Sequence, residues 1–336
     1  MDLFQLTRAL VDIDSTTPSE GRVADFIYKH LAPLVARHDG QLERQPVEPG
    51  RENIFASFGS PLIVLSTHMD TVPPFFPSRE NETHIWGRGS CDAKGILAAM
   101  MKAAQALLED GTRNFGLLFV VGEERNSAGA LAAAKVPRGT RYIICGEPTE
   151  NRLAVTSKGV LRYEIVAHGR MAHSAYPQLG ESAIEKLLDV LEELRRIPMP
   201  SDDLLGPSTL NIGILEGGRA PNVIPDFARA EILIRLVGDP SLLRQAVDRI
   251  CAGRADAKEL LCIPAVRLAT LNGYPTTIAA FTTDIPAFGD AWGKPFLIGP
   301  GSIHVAHTSE ECVFKQDLHD AVEIYVRMVR QCQAMT

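Results

Sequence analysis

Three short apolar runs, each leading into a side chain able to bind a metal, constrain this chain most. Residues 61–67 deliver His68, residues 115–121 deliver Glu123 and Glu124, and residues 141–145 deliver Glu147. A further strand-like run covers 53–58. Helical patterns at 3–11, 21–35 and 93–110 lie around these runs, the last stopped by Gly111. Apolar strands alternating with amphipathic helices predict an α/β fold, a parallel or mixed sheet wrapped by helices. In such open sheets ligands sit at the carboxyl ends of the strands. Several candidate ligands should therefore converge on one sheet edge.

The pattern changes after about Thr156. Strand at 160–167, helix at 181–196, strands at 209–215 and 228–237, helix at 241–251 and strand at 263–268 follow in order. That order, β-α-β-β-α-β, is the split ferredoxin-like unit. Its first helix is expected to present Ile184, Leu187, Leu188, Leu191 and Leu194 on one face, enough to cover a small antiparallel sheet. A strand at 295–298 and a closing helix from Leu318 then resume the first pattern. The expectation is a discontinuous α/β domain, 1–156 and 269–336, with 157–268 inserted. Turn-rich stretches at 47–53 and 198–207 read as surface loops.

Composition narrows the function. The 336 residues carry 41 acids against 34 basic side chains, a formal charge of 34 − 41 = −7. The basic residues are scattered, which argues against nucleic-acid binding, where clustered Lys and Arg neutralise phosphates. Apolar stretches fall far short of the roughly 20 residues that span a bilayer, so no membrane segment is expected. The first residues lack the positive start, apolar block and cleavage site of a secretory signal. Six cysteines lie far apart with no CxxC pair. Both features predict a cytoplasmic protein with reduced thiols.

Local patterns sharpen the candidate site. His68 and Asp70 are two apart, so in extended chain the carboxylate can hold one ring nitrogen while the other meets a metal. Asp92 follows a glycine-rich segment and opens the Ala-rich helix, where the macrodipole favours a carboxylate; taken alone it reads as an N-cap. Of Glu123 and Glu124, one can hold a metal while its neighbour acts as a base. Glu147 sits in Cys-Gly-Glu-Pro-Thr. His304 and His307 share a glycine-rich loop before the closing helix, and spacing does not choose between them.

HMD at 68–70, GRGSCDAKG at 87–95, GEE at 122–124, GEPT at 146–149, AHSAYP at 172–177 and GPGSIHVAHTSEE at 299–311 together resemble the co-catalytic zinc deacylase and carboxypeptidase family. That family includes acetylornithine deacetylase, succinyl-diaminopimelate desuccinylase, aminoacylases and glutamate-releasing carboxypeptidases. The motifs occur in order across nearly the whole chain. The resemblance implies two Zn²⁺ ions, with Co²⁺ or Mn²⁺ as alternatives: one held by His68 and Glu147, the other by Glu124 and His307, with Asp92 bridging. Ala306, His307 and Glu311 match the family's alanine-histidine pair followed by glutamate, which selects His307 over His304. Glu123 becomes the general base, and Asp70 the residue behind His68. Three carboxylates and two neutral imidazoles do not cancel two dications, so a bridging water is acidified into a nucleophile.

The resemblance also implies a homodimer formed through the inserted domain, in which His173 stabilises the tetrahedral oxyanion from the partner subunit. Tyr176 would line that pocket, and Asn222 and Arg235 would bind substrate, the guanidinium fitting a free carboxylate bidentately. The expected activity is removal of the N-acyl group from an N-acyl-amino acid of the acetylornithine or acetyl-lysine type. A dipeptidase or carboxypeptidase is the alternative, since the same water attack serves either amide. A non-catalytic dimeric binding protein is the reading from another class; it would have lost a ligand or the base, and every matched position retains its residue.

Overall fold

The computed structural model describes residues 1–335. The chain divides into two compact units: Met1–Val155 with Leu268–Thr277 and the chain from Thr283 onward, and Thr156–Arg267 with Ile278–Thr282.

A six-stranded sheet organises the first unit, in the spatial order Gln41–Glu48, Arg51–Phe58, Phe115–Val120, Ile63–His68, Tyr142–Cys145, Lys294–Leu297. The last four strands run parallel and the first two antiparallel, so the sheet is mixed. Every residue of Ile63–His68 and of Phe115–Val120 is buried. A parallel strand covered on both faces must be apolar throughout, which is why these segments read as unbroken apolar runs. Parallel pairing also brings their carboxyl ends to one edge, His68 lying opposite Val120 and Ser66 opposite Cys145.

Helix Lys94–Glu109 packs on this sheet and against the closing helix Lys315–Ala334. Twelve of its sixteen residues are buried. A helix apolar around most of its circumference must lie inside, and its alanines let neighbouring elements approach closely. Leu97 is fully buried here; its replacement by Ala would cost about 2–5 kcal/mol through lost burial and the cavity left behind.

Three local expectations change. The segment 47–53, expected as a loop, is the hairpin between Gln41–Glu48 and Arg51–Phe58, turning at Gly50 with φ 75°. The first of these strands escapes sequence reading because it is a polar sheet edge with little apolar signal. The stretch 198–207 contains a small ladder, Ser201–Asp202 against Gly206–Pro207. The closing helix begins at Lys315, not Leu318.

The second unit is a four-stranded antiparallel sheet in the order Thr209–Gly217, Phe227–Leu236, Gly159–His168, Asp256–Ile263. Helices Ala183–Arg195 and Ser241–Cys251 pack against it, completing the β-α-β-β-α-β order. Its last strand is Asp256–Ile263 and not 263–268. Asp256, Lys258 and Glu259 stand on an exposed edge, and that charge masks the strand. On the first helix Leu187, Val190, Leu191 and Leu194 are buried while Leu188 is 48% exposed. At 100° per residue Leu188 rotates out of the stripe and Val190 takes its place. Among the described residues no helix is long and apolar enough to cross a membrane.

Candidate metal centre

The carboxyl edge of the parallel strands gathers the candidate ligands. His68 ends its strand, 1% exposed. Its Nδ1 lies 3.0 Å from the Asp70 carbonyl oxygen and 3.5 Å from Asp70 Oδ1. Nδ1–H therefore donates to this carbonyl, which turns Nε2 toward Asp92. The nearer partner is the main-chain carbonyl rather than the carboxylate expected from sequence.

The Asp70 carboxylate has another task. It accepts from the Thr17 hydroxyl (2.7 Å) and from the backbone N–H groups of Glu123 (3.1 Å) and Glu124 (3.2 Å). Burial opposes its charge, yet His68 and these donors hold its pKa below the ordinary carboxylate value. Asp70 thus fixes both the ring at one strand end and the turn at the next.

That turn starts at Gly122, whose φ of 79° is left-handed and where a Cβ would lie 2.8 Å from Arg51 Nη2. Glycine is required on both counts. Gly146, before Glu147, is required by space: a Cβ would come within 2.4 Å of Ile96 Cγ2.

Asp92 lies between two histidines. Its Oδ1 is 3.0 Å from His68 Nε2 and its Oδ2 is 3.3 Å from His307 Nε2. His307, at φ 63° in its loop, also places Nε2 3.0 Å from Glu124 Oε1. His68, Asp92 and Glu124 offer ligand atoms within 4.8 Å of one another. His307 and Glu124 thus meet where sequence spacing left both assignments open, and His304 is exposed.

The electrostatics describe a crowd of acids. Burial raises Glu123 well above the carboxylate range, and Glu147 adds to it; burial raises Glu147 likewise, with Asp92 adding. Glu124 is raised by burial despite its bond to His307. Asp92 is held low: burial opposes its charge, but the two histidines outweigh it. His307, bonded to Asp92 and Glu124, is raised to about 10. His68 is also raised; burial works against its charge, and Asp70 and Asp92 overcome that. The imidazoles hold protons here because the surrounding carboxylates demand positive charge.

Two further ionisable groups were not singled out in the sequence. Lys94 is fully buried and donates to the Ile13 carbonyl (2.6 Å), desolvation lowering its pKa to about 8. Asp284 is 6% exposed, and neither carboxylate oxygen has a hydrogen-bond partner among the described residues. Burial pushes it up to about 7; His68 opposes this, while Asp70 and Glu124 add to it.

The remaining candidates lie in the second unit. His173 pairs with Val223 in a two-residue ladder, and the Ser174 N–H donates to the Asn222 carbonyl (3.1 Å). Sequence-distant His173 and Asn222 are thereby neighbours. The Ala175 N–H donates to His173 Nδ1 (3.1 Å), so the ring proton belongs on Nε2. Tyr176, 57% exposed, stands edge-on to His173 at 6.1 Å between centroids. Arg235, in strand Phe227–Leu236, donates from Nη1 to Thr282 Oγ1 (2.8 Å).

The description Peptidase family M20/M25/M40 matches residues 64–331. A peptidase M20 domain-containing protein of Schizosaccharomyces pombe is 39% identical over 98% of this chain and 84% of its own length. A probable carboxypeptidase of Uncinocarpus reesii is 35% identical over 98% and 86%. In fold, the chain resembles an M20 family metallo-carboxypeptidase from Sulfolobus solfataricus, with TM-score 0.79, 14% identity and 99% of both chains covered. Together these define a hydrolase acting on amide bonds. The chain belongs to peptidase family M20/M25/M40.

Proposed function

We propose that this enzyme is a metal-dependent amidohydrolase that removes the N-acyl group from an N-acyl-amino acid, of the acetylornithine or acetyl-lysine type, as a homodimer. The observation that carries the reading is Asp92, one carboxylate whose two oxygens face His68 at a strand end and His307 in a loop. His68 and Glu147 would hold one cation, His307 and Glu124 the second, and Asp92 both. The donor set fits: buried carboxylates in excess, balanced in this structure only by protonated imidazoles, are what two dications would satisfy. Mixed nitrogen and oxygen ligation suits Zn²⁺, with Co²⁺ or Mn²⁺ able to replace it. When bound, such a pair polarises the amide carbonyl and makes water acidic near neutral pH.

The protein's own groups then carry the protons. Glu123, whose amide is pinned by Asp70, takes the proton from the attacking water and delivers it to the leaving nitrogen. Its raised pKa makes it a better base than an exposed carboxylate. His68, its Nδ1–H committed to Asp70, keeps Nε2 for ligation. His173 of a second subunit donates Nε2–H to the oxyanion. Arg235 and Asn222 hold the substrate carboxylate, with Tyr176 lining the pocket. The dimer reading is supported by the sheet edge Thr209–Gly217, where Ile214 and Leu215 are 36% and 55% exposed. An apolar edge strand of that kind calls for a covering partner.

A second reading, cleavage of a C-terminal amino acid from a peptide, is favoured by the similarity to the probable carboxypeptidase of Uncinocarpus reesii. It uses the same chemistry with a larger acyl side. Assaying Zn²⁺- and Co²⁺-loaded enzyme on acetylornithine, acetyl-lysine and a dipeptide panel separates the two. Preference for the acetyl substrates is expected. Higher kcat/KM on dipeptides selects the second reading, and full activity in excess chelator overturns both.

A further inference from the structure

Glu311 is fully buried and lies four residues after His307. Its Oε1 accepts from the backbone N–H groups of Gly89 (2.9 Å), Cys91 (3.2 Å) and Asp92 (3.1 Å), and its Oε2 meets the Arg88 guanidinium. Its own carbonyl accepts from Gly87 N–H (3.2 Å). The loop leading to Asp92 is therefore wrapped around one carboxylate. A carboxylate taking several amides and a guanidinium is held in one orientation. Through Glu311 the backbone of Asp92 is tied to the loop that carries His307.

The proposed cation positions differ in how they are supported. His68 and Glu147 follow neighbouring parallel strands, whose separation the sheet sets by itself. His307 has no such ladder. Its side chain is 49% exposed and sits in a loop at left-handed φ. Glu311 ties that loop to the Asp92 backbone through three N–H groups, where the other direct link to this segment is a long Cys91 Sγ–Ser302 carbonyl contact (3.4 Å).

Resting on the two-cation reading above, we propose that Glu311 is a positioning residue. It sets the His307–Asp92 separation and thereby the affinity of the position formed by His307, Glu124 and Asp92, leaving the His68–Glu147 position largely untouched.

The test titrates metal-free protein with Zn²⁺ against a competing chromophoric chelator, and with Co²⁺ by its visible spectrum. Arg88→Met is included so that no buried guanidinium is left unpaired; Arg88→Met alone is the control. Wild type and the control should take two equivalents. In Arg88→Met/Glu311→Ala one equivalent should weaken by about 10–100-fold, as losses around metal ligands do, and the other by less than about threefold. Arg88→Met/Glu311→Gln should restore it, because the amide oxygen still accepts the three N–H groups. Adding His307→Ala to the alanine variant should cause little further loss, since both act on one position.

Equal weakening of both equivalents, unchanged affinities with only a lowered melting temperature, or full additivity with His307→Ala would each overturn the proposal. A wild type taking fewer than two equivalents would bring down the two-cation reading itself, and this inference with it.

Discussion

The two units carry their candidate residues in opposite ways. In the first, His68, Asp70, Asp92 and Glu147 are buried, and His68, Asp70 and Asp92 are held by hydrogen bonds within the unit. In the second, His173, Tyr176 and Asn222 are exposed, placed by a two-residue ladder and one backbone bond. Burial in low dielectric is what crowds the first unit's acids and shifts their pKa values. The second unit has geometry without that electrostatic investment. A metal centre needs fixed, desolvated ligands; a donor that meets the substrate late needs access.

The largest effect should come from the first unit. Glu123→Gln removes the proposed base while keeping size and the backbone link to Asp70. Turnover should fall about 10²–10⁴-fold, with two equivalents of metal retained by elemental analysis. Retained metal with near-normal kcat would take Glu123 out of the mechanism.

The second unit should respond differently. His173→Ala is expected to lower kcat about 10²–10³-fold, as for a lost oxyanion donor, and to leave metal content and melting temperature unchanged because His173 is exposed. Mixing this variant with Glu123→Gln and allowing subunit exchange should restore activity, since one site in each mixed dimer would be intact. Exchange proven by differential labelling, with no activity regained, would show that His173 does not act across subunits.

How much of this was legible in sequence follows from the same contrast. Strands buried on both faces leave unbroken apolar runs, so the ends that deliver His68, Glu123, Glu124 and Glu147 could be read. The β-α-β-β-α-β order was legible by alternation, as in Phe227–Leu236, which buries every second residue. The charged edge strands Gln41–Glu48 and Asp256–Ile263 were not, since their charges hide the alternation, whereas the less charged edges Thr209–Gly217 and Lys294–Leu297 were read. The meeting of His307 with Asp92 and Glu124 depends on a left-handed turn that spacing does not encode. Asp284 and the amide contacts of Glu311 were invisible because one buried acid looks the same in sequence as an exposed one.

Asp284 gives the finest test of the contrast, and the smallest expected effect. Its folded pKa of about 7 lies above the unfolded value of about 3.9. A raised carboxyl pKa stabilises the fold fully below the unfolded value, and that contribution is lost as pH rises through the folded one. In metal-free protein Asp284 should therefore make the first unit less stable at pH 8 than at pH 5, by at most about 3 kcal/mol and by less if water enters. Asp284→Asn should raise the melting temperature at pH 8 and change it little at pH 5; an equal change at both would refute a buried, protonated acid. Glu259 in the second unit is lowered by its ion pair with Arg244 and is largely exposed. Its contribution is present above the unfolded value and lost as pH falls, and solvent screening keeps it small. Glu259→Gln should thus cost a little at pH 8 and nothing at pH 3, the opposite sense to Asp284→Asn.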